Sequence, residues 1–300
     1  MKILITGANG QVGWELARAA QPLGEVIALD RSSADLADPE GLRRLVRRLR
    51  PDVILNAAAY TAVDKAEDDE ATALRINGEA PGVLAQEALA LDALLVHYST
   101  DYVFDGAAQQ PYVESDPTGP VSAYGRTKLI GEQAISATGG RWLVFRTSWV
   151  YAPRGGNFPR TMLRLACERD ALKVVADQFG APTGARLIAD VTTRAVARAA
   201  DESAQGRFES GIYHLTASGS TSWHGLACAV IEGARKRGWP IKAGAVDGIA
   251  ADQYPTRARR PFNSRMSTAA LAARFGVTLP PWEQGIELLL DDLTERRVVV

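Results

Sequence analysis

Short apolar runs recur along the first half of the chain, and each one gives way to glycine or polar residues. These runs cover residues 2–6, 26–29, 52–55, 93–98 and 142–146. The stretches between them carry apolar residues at helical spacing, the longest over residues 63–91. Strands alternating with helices are typical of a parallel, doubly wound sheet. The pattern therefore predicts an α/β protein whose central sheet is covered on both faces.

The second half of the chain is more densely interrupted by proline and glycine. Its pattern still predicts a series of further elements, and a proline-containing loop at 104–120 is long enough to serve as a lid or a substrate wall. The predicted elements are helices at 158–169, 185–200, 223–237 and 282–293, and strands at 173–175 and 211–215.

A glycine-rich turn joins the first strand to the first helix. Gly7, Gly10 and Gly13 follow the run Lys2–Thr6 with the spacing G-x-x-G-x-x-G. The first glycine permits a tight turn, the second lets backbone approach a pyrophosphate, and the third allows close packing of helix and strand. The unpaired N–H groups of the helix N-terminus, near Gln11 and Val12, then face the phosphates. The turn predicts a dinucleotide site.

The ends of the next two strands predict the remainder of the dinucleotide site. Asp30 lies about twenty residues beyond the turn, where an acidic residue suits ribose hydroxyls. Arg31 suits a ribose 2′-phosphate instead, so the choice between NADH and NADPH stays open. Asp35 and Leu36 are placed beside the adenine. Small and polar residues after the third strand let a cofactor lie against the backbone, namely Ala57, Ala58, Ala59, Tyr60 and Thr61.

The stretch from His97 to Lys128 carries the predicted chemistry. The fourth strand delivers Thr100 at its carboxyl end, and Ser122 is placed as the N-cap of the following helix. Tyr124 and Lys128 are four residues apart, so both side chains project from one helix face. The positive charge of Lys128 is expected to lower the pKa of Tyr124 and make it a better acid. Thr100 can supply a second hydrogen bond at the same place.

Two other features allow more than one interpretation. Trp149 leaves the carboxyl end of the fifth strand, which fits a core role and a sugar-stacking role equally. Residues 254–265 contain Arg257, Arg259, Arg260 and Arg265. Such a cluster can grip a diphosphate through bidentate contacts, or it can be a basic surface loop.

Composition narrows the possible partners. The chain has 300 residues, 46% hydrophobic content and a formal net charge of −1, which predicts a large core and neither nucleic-acid nor membrane binding. The first apolar run ends at Gly7, too early for a signal peptide. Cys167 and Cys228 are far apart in sequence, so reduced thiols and a cytoplasmic location are expected. His97, His214 and His224 lack the paired spacing of metal ligands.

Taken together, these segments resemble the extended short-chain dehydrogenase/reductases that act on nucleotide sugars. The resemblance is carried by residues 10–16, 56–66, 98–104, 124–128, 145–151, 177–184 and 260–265. It implies a Rossmann-like doubly wound parallel sheet with a smaller C-terminal substrate-binding domain. Residues 1–150 would form the NAD(P)-binding domain, joined by about 185–215. Residues 151–300 would mainly form the discontinuous substrate domain.

The resemblance also implies a substrate and residue roles. The expected reaction is NAD(P)H-dependent reduction of the C4 ketone of dTDP-4-dehydro-L-rhamnose, within lipopolysaccharide or O-antigen biosynthesis. Tyr124 would donate the proton, Lys128 would also bind the nicotinamide ribose, and Thr100 would hydrogen-bond the keto oxygen. The other residues implied to contact cofactor or substrate are Tyr98, Asp101, Trp149, Arg260 and Asn263. A homodimer and a Mg²⁺ requirement are possible additions.

Three alternative functions compete with this reaction. A 4,6-dehydratase commonly carries an Asp-Glu pair after the threonine, and Tyr102 stands where the second carboxylate would be. Another nucleotide-sugar reductase or an epimerase on the same fold stays open. A non-catalytic, dinucleotide-binding regulatory subunit also stays open, because fold alone does not decide activity. The complete set of Thr100, Tyr124 and Lys128 favours an enzyme.

Overall fold

The central feature is a sheet of parallel strands, as the alternation of strand and helix patterns predicted. The computed structural model describes the backbone of residues 1–298 and the side chains of residues 1–295. The strands are β1 (Lys2–Thr6), β2 (Glu25–Leu29), β3 (Val53–Asn56), β4 (Leu94–Thr100), β5 (Arg141–Thr147), β6 (Val150–Tyr151), β7 (Ala171–Val175), β8 (Phe179–Gly180), β9 (Thr183–Gly184), β10 (Gly211–His214), β11 (Thr221–Ser222) and β12 (Ala245–Ile249).

Helices cover the sheet and build the C-terminal part of the protein. They are α1 (Gln11–Ala19), α2 (Pro39–Leu49), α3 (Val63–Ala66), α4 (Glu70–Leu74), α5 (Ala80–Ala90), α6 (Ala123–Ser136), α7 (Phe158–Glu168), α8 (Ala185–Ala204), α9 (Trp223–Lys236), α10 (Ala269–Phe275) and α11 (Trp282–Val298). A π-helical turn at Arg75–Glu79 joins α4 to α5. Within residues 1–298, none of the helices is long and apolar enough to cross a membrane.

The order of strands places the functional edge. The strands run β2-β1-β3-β4-β5-β10, and every neighbouring pair is parallel. The order in which successive strands are added across the sheet therefore reverses between β1 and β3. In such sheets, ligands bind at this switch point, outside the carboxyl ends of the strands. The prediction of a doubly wound parallel sheet is confirmed.

Alternating side chains of the central strands feed two separate layers of core. Ile3 and Ile5 of β1 face the layer beneath α1 and α8. Leu4 faces the opposite layer, beneath α5. This two-sided burial explains why β1, β3 and β4 are nearly continuous apolar runs.

A further hydrophobic core lies outside the sheet. It joins α7, α9 and α11 through residues such as Leu163, Val230 and Ile286. By contrast, α8 packs on α1, and β10 extends the main sheet. We therefore propose that residues 1–150 with about 185–215 form one domain, and that the rest of 151–300 forms the smaller one.

Several boundaries differ from the sequence predictions. Residues 63–91, predicted to be helical, are helical but divided into α3, α4, the π-helical turn and α5. Asn77 lies in that turn, and its side chain accepts a hydrogen bond from the backbone of Tyr60 at 2.8 Å and donates to its carbonyl at 3.0 Å. The interruption serves this long-range contact. β12 and α10 were not predicted from the sequence, and α8 continues to Ala204.

A buried ion pair fixes α6 against the sheet. Glu132 of α6 and Arg146 of β5 are almost completely buried, and their closest contact, Arg146 Nη2 to Glu132 Oε2, is 2.7 Å. Arg146 Nε also donates to the same carboxylate. A buried charge without its partner is costly, so this pair strongly favours one position of the helix.

We expect Glu132→Gln to destabilise the protein by about 3 kcal/mol or more, because it leaves the Arg146 charge buried without a counterion. Urea unfolding of the variant and the wild type measures the difference. Glu168→Gln is the matched control, since it removes the exposed Arg164–Glu168 pair of α7 and should cost less than about 0.5 kcal/mol. Equal losses in the two variants would contradict a special role for the buried pair.

Candidate active site

The glycine turn after β1 lies directly against the segment that follows β3. Gly7 has φ +70°, and a Cβ atom there would come within 2.8 Å of the Ala58 backbone. A Cβ at Gly13 would lie 2.1 Å from the Gly7 carbonyl oxygen. Sterics therefore exclude a side chain at both positions, and the left-handed backbone conformation also disfavours one at Gly7. Among the described residues, no side chain caps the N-terminus of α1, which leaves its first N–H groups available to an anion.

The turn forms part of the lining of a groove with a volume of about 630 Å³. With the exception of Gly13, which packs beneath the turn, every residue predicted to bind the cofactor lines this groove. The groove continues from Asp30 at one end to Tyr124 and Lys128 at the other. Its shape and lining suit an extended dinucleotide, and the glycine turn is placed to accept the phosphates.

The ribose end of the groove is polar and exposed. Asp30 accepts hydrogen bonds from the Asn9 side chain at 2.9 Å and from the Ser32 hydroxyl at 2.6 Å. The Ser32 hydroxyl, followed by backbone and Asn9 donors, holds the pKa of Asp30 below its usual range. Arg31 is largely exposed and lies 3.6 Å from the Asp35 carboxylate. Asp30 and Arg31, the two residues that bear on the choice between NADH and NADPH, therefore lie at the rim of the groove.

A loop from a distant part of the chain closes over the glycine turn. Asn157 donates to the Gln11 side chain and to the Ala152 carbonyl, both at 2.8 Å. Arg154 stacks its guanidinium over Trp14, 3.3 Å from the ring centroid. Gly155 lines the groove beside them. The sequence does not indicate that this loop reaches the turn, because its only local sign is a Pro-Arg-Gly-Gly run separated from the turn by more than a hundred residues.

The predicted acid and its cation lie together on α6. Ser122 caps the helix as predicted and accepts from the Gly125 N–H at 3.2 Å. Tyr124 and Lys128 both line the groove. The Lys128 amine donates to the Tyr98 carbonyl at 2.5 Å and lies 3.0 Å from His97 Nε2. Two residues of β4 thus fix the position of the Lys128 amine.

The expected lowering of the Tyr124 pKa is wrong for this arrangement. Burial, and next the charge of Asp101, raise the pKa of Tyr124 to about 12, while a hydrogen bond with Thr100 acts in the opposite direction. Burial also lowers the pKa of Lys128 to about 8. A sequence shows that a cation is one helical turn away, but it does not show how little water surrounds the phenol. Tyr124 therefore holds its proton at neutral pH.

Thr100 and Asp101 form further polar contacts next to Tyr124. The Thr100 hydroxyl donates to Asp101 Oδ1 at 3.0 Å and accepts from the Tyr102 N–H at 3.2 Å. Asp101 is 2% exposed, and burial raises the pKa of its carboxyl to about 6 in spite of hydrogen bonds from Ser264 and Thr100. The site therefore joins a phenol, a hydroxyl and a carboxyl that titrates close to neutrality.

Trp149 combines features of both of its proposed roles. Its backbone adopts φ +48°, a left-handed conformation that is rare for a bulky residue and is found at sites where structure constrains the chain. The indole stacks on Trp223 with centroids 3.5 Å apart, and Phe158 packs against Trp223. This stack belongs to the core around α9, yet Trp149 stays partly exposed. A contact with the sugar remains a proposal.

The arginine-rich segment is tied to the sheet domain by ion pairs. Arg260 lies 3.0 Å from Asp64, and Arg257 lies 2.8 Å from Asp68. The segment therefore borders α3 and the residues that follow it through specific contacts, unlike a free surface loop. Arg260 remains partly exposed, and binding of a diphosphate by this arginine stays a proposal.

Asn263 is used to hold the loop predicted as a lid. Its amide donates to the carbonyls of Ala108 and Gln110, at 2.7 and 2.9 Å, and its oxygen accepts from Arg265 Nε at 2.8 Å. Both amide hydrogens are engaged, so the structure shows an anchoring contact for Asn263. Its predicted contact with substrate stays untested. Among the described residues, no group of three or more His, Cys, Asp or Glu side chains is arranged to hold a metal ion.

The parallel sheet, the glycine turn and the Tyr124–Lys128 pair define a Rossmann-type protein of the extended short-chain dehydrogenase/reductase class. Comparison with known proteins narrows this class. A family model described as the RmlD substrate binding domain matches residues 1–295. The chain belongs to this RmlD family, and the resemblance drawn from its sequence is confirmed.

Named relatives match along nearly the whole chain. A dTDP-4-dehydrorhamnose reductase of Burkholderia thailandensis is 56% identical over 295 residues, which cover 98% of this chain and 99% of the relative. The reductase of the same name from Escherichia coli K12 is 48% identical, with 98% of each chain covered. A crystal structure of dTDP-4-dehydrorhamnose reductase from Bacillus anthracis in complex with NADP has 31% identity and a TM-score of 0.87, covering 97% of this chain and 99% of that one.

The raised pKa of Asp101 predicts an unusual dependence of stability on pH. A carboxyl whose pKa is higher in the folded than in the unfolded protein stabilises the fold at pH values below its pKa in the unfolded protein. This stabilisation is lost as the pH rises from about 4 to about 6. Asp101→Asn stays neutral, so we expect a gain of up to about 3 kcal/mol at pH 8 and little gain near pH 4. Urea unfolding at the two pH values measures this.

Asp105→Asn is the matched control for that experiment. The Tyr112 hydroxyl donates to the Asp105 carboxylate at 2.6 Å and holds its pKa below the usual range. This variant should lose stability at pH 8, opposite in sign to Asp101→Asn. If Asp101→Asn gained the same stability at both pH values, the gain would have another cause than ionisation.

Proposed function

We propose that the protein catalyses the NAD(P)H-dependent reduction of the C4 ketone of dTDP-4-dehydro-L-rhamnose to dTDP-L-rhamnose. The observation that carries this proposal is the position of Tyr124 at the end of the dinucleotide groove, with Thr100 beside its hydroxyl. The relatives named dTDP-4-dehydrorhamnose reductase supply the identity of the sugar.

The groove fits a dinucleotide because its floor is backbone. A side chain is excluded at Gly7, which lines the groove, and the start of α1 has no side-chain cap. When bound, a reduced nicotinamide supplies the hydride that the carbonyl carbon accepts. Lys128 is placed at the same end of the groove, where we propose that it binds the nicotinamide ribose.

The protein's own residues handle the proton. Hydride addition to a ketone places negative charge on the oxygen, and a donor must be within hydrogen-bond reach. Tyr124 keeps its hydroxyl proton at neutral pH because burial and Asp101 raise its pKa. We propose that Tyr124 transfers this proton to the sugar oxygen and that Thr100 hydrogen-bonds the same oxygen. Asp101, Trp149, Arg260 and Asn263 are proposed to surround the sugar nucleotide.

The alternative activities are less well supported by the site. A dehydratase needs a second carboxylate, but Tyr102 packs edge-on against Tyr124 with centroids 5.6 Å apart, and it fills that position. A purely regulatory dinucleotide-binding subunit would not need a proton donor buried beside Thr100. Turnover of dTDP-4-dehydro-L-rhamnose, followed as loss of nicotinamide absorbance, separates the reductase from the regulatory protein.

The cellular setting is also part of the proposal. Cys167 and Cys228 are both free thiols, which suits a reducing compartment such as the cytoplasm. A homodimer, a Mg²⁺ requirement and a role in O-antigen synthesis are proposed on family resemblance alone.

Tyr124→Phe is expected to lower kcat by about 10²–10⁴-fold, because it removes only the proton-donating hydroxyl. The affinity for NADPH should change little, since the ring keeps its place on α6. Steady-state kinetics and a direct nicotinamide titration measure the two quantities. Tyr102→Phe offers a control on a neighbouring tyrosine and should retain most activity. A kcat near the wild-type value in Tyr124→Phe would show that the proton comes from another group.

Asp30→Ala is expected to weaken the binding of NADH more than the binding of NADPH. The Asp30 carboxylate suits the two hydroxyls of an unmodified ribose, whereas it repels a 2′-phosphate. The ratio of kcat/KM values for the two cofactors measures the change, with Asp35→Ala as a control for loss of charge at the same rim. Equal losses for both cofactors would show that Asp30 does not contact the ribose.

A further inference from the structure

A row of buried polar side chains crosses the sheet beneath the catalytic pair. Thr6 of β1 lies opposite Asn56 of β3, and Asn56 lies opposite His97 of β4 in the strand register. The Thr6 hydroxyl donates to Asn56 Oδ1 at 2.6 Å, and Asn56 Nδ2 lies 3.0 Å from His97 Nδ1. His97 Nε2 completes the row 3.0 Å from the Lys128 amine. Each of the four side chains is at most 1% exposed.

Counting donors along this row ties the charge of Lys128 to the ring of His97. The Thr6 hydroxyl directs the Asn56 oxygen toward β1, so the Asn56 amide must donate to His97 Nδ1. The ring hydrogen of a neutral His97 then lies on Nε2 and points at Lys128. Only a neutral amine has the lone pair to accept it. That amine can still donate to the carbonyl of Tyr98.

An ammonium group at Lys128 requires the opposite arrangement. It has no lone pair, so His97 Nε2 must accept from it and the ring hydrogen must move to Nδ1. The Asn56 amide then has to rotate and present its oxygen to His97. In that state the rotated amide donates to the Thr6 oxygen, and the hydrogen of the Thr6 hydroxyl is left without its Asn56 acceptor. The row therefore has two discrete states, and Thr6 favours the one with the neutral amine.

We infer that His97 is a positioning residue for Lys128, and that the Thr6–Asn56–His97 row couples the protonation of Lys128 to the tautomer of the His97 ring. The catalytic meaning of this coupling rests on the proposed function, because Lys128 is the cation beside the proposed proton donor. The hydrogen-bond coupling itself is independent of any substrate.

The surrounding charges are compatible with a switch in this row. Burial, and next the charge of Lys128, hold the pKa of His97 well below its ordinary value, so the ring stays neutral. The pKa of Lys128 is lowered to about 8 by burial, with Glu132 acting in the opposite direction. Arg146 of β5 pairs with Glu132, and Thr192 of α8 hydrogen-bonds the Tyr98 hydroxyl.

The two acids near the site titrate outside the window in which Lys128 changes charge. The pKa of Asp101, on the turn after β4, is about 6, and the pKa of Tyr124, one turn before Lys128 on α6, is about 12. A change near pH 8 in the row is therefore expected to report Lys128. Thr6 is fully buried, so this end of the row does not contact water. The row can therefore adopt one of its two hydrogen-bond arrangements but does not conduct protons to solvent.

Nitrogen-15 NMR of the histidine rings tests the coupling in the full-length protein without substrate. The chain has three histidines, and His97→Phe assigns the His97 signals by their loss. From about pH 7 to about pH 10, we expect a neutral His97 ring whose hydrogen moves from Nδ1 to Nε2 as Lys128 loses its proton. A single tautomer across this range, or a charged ring, would overturn the inference.

Thr6→Val tests the direction of the coupling. The variant keeps the shape of the side chain but frees the Asn56 oxygen to face His97, which favours the ammonium form. The midpoint of the tautomer change should therefore rise by roughly one pH unit. In the reductase assay, the high-pH limb of kcat/KM should rise with it. An unchanged midpoint would contradict the proposed coupling between Thr6, Asn56, His97 and Lys128.

A double variant separates coupling from simple loss of packing. In a His97→Phe background the row is broken, so adding Thr6→Val should no longer move the high-pH limb. If the shift persisted without His97, Thr6 would act by another route and the inference would fail. Since wild-type turnover tests the proposed function and the NMR signals test the row, failure of one is distinguishable from failure of the other. His224→Phe, on α9, is the control and should leave the pH profile unchanged.

Discussion

The site depends on the burial of two charged side chains of one helix against the sheet. Lys128 and Glu132 both leave α6 toward β4 and β5, where each has a fixed polar partner. A buried charge is tolerated only with such partners, so the helix can neither rotate nor slide without leaving one of them unpaired. Tyr124 lies one turn before Lys128 on the same helix. Its position at the groove is thus set by contacts that it does not itself make.

The same burial decides the chemistry of the site. Low exposure raises the pKa of Tyr124 and of Asp101 and lowers the pKa of Lys128, so each shift favours the neutral form. A proton donor for ketone reduction has to arrive at the reaction with its proton, and a high pKa ensures that it does. The consequence is a weaker acid, and the hydrogen bond with Thr100 acts in the opposite direction.

Contacts between parts of the chain that are far apart in sequence tie the later segments to the sheet domain. Asn157 reaches back to Gln11 at the glycine turn, and Arg260 reaches Asp64 at the start of α3. Asn263 holds the loop that follows β4. The second core, with the stacked Trp149, stands at the same edge. The sheet therefore supplies the dinucleotide floor, while later segments provide the walls on the side where a sugar nucleotide would lie.

Much of the fold and the cofactor groove followed from local patterns. The apolar runs predicted the strands of the main sheet, the glycine spacing predicted the turn, and Ser122 predicted the start of α6. These features depend on backbone sterics and on which side chains can be buried, which neighbouring residues determine. For the same reason the acidic residue after β2 could be placed at the groove from sequence alone.

The tertiary structure alone decided the state of the groups so placed. The sequence showed Lys128 near Tyr124 but not the burial of the phenol or the nearby charge of Asp101, so the direction predicted for the Tyr124 pKa was wrong. It also missed the loop around Asn157 and the anchoring contacts of Asn263. The physical reason is common to all three cases. Desolvation and hydrogen-bond partners depend on residues that only the folded chain brings together.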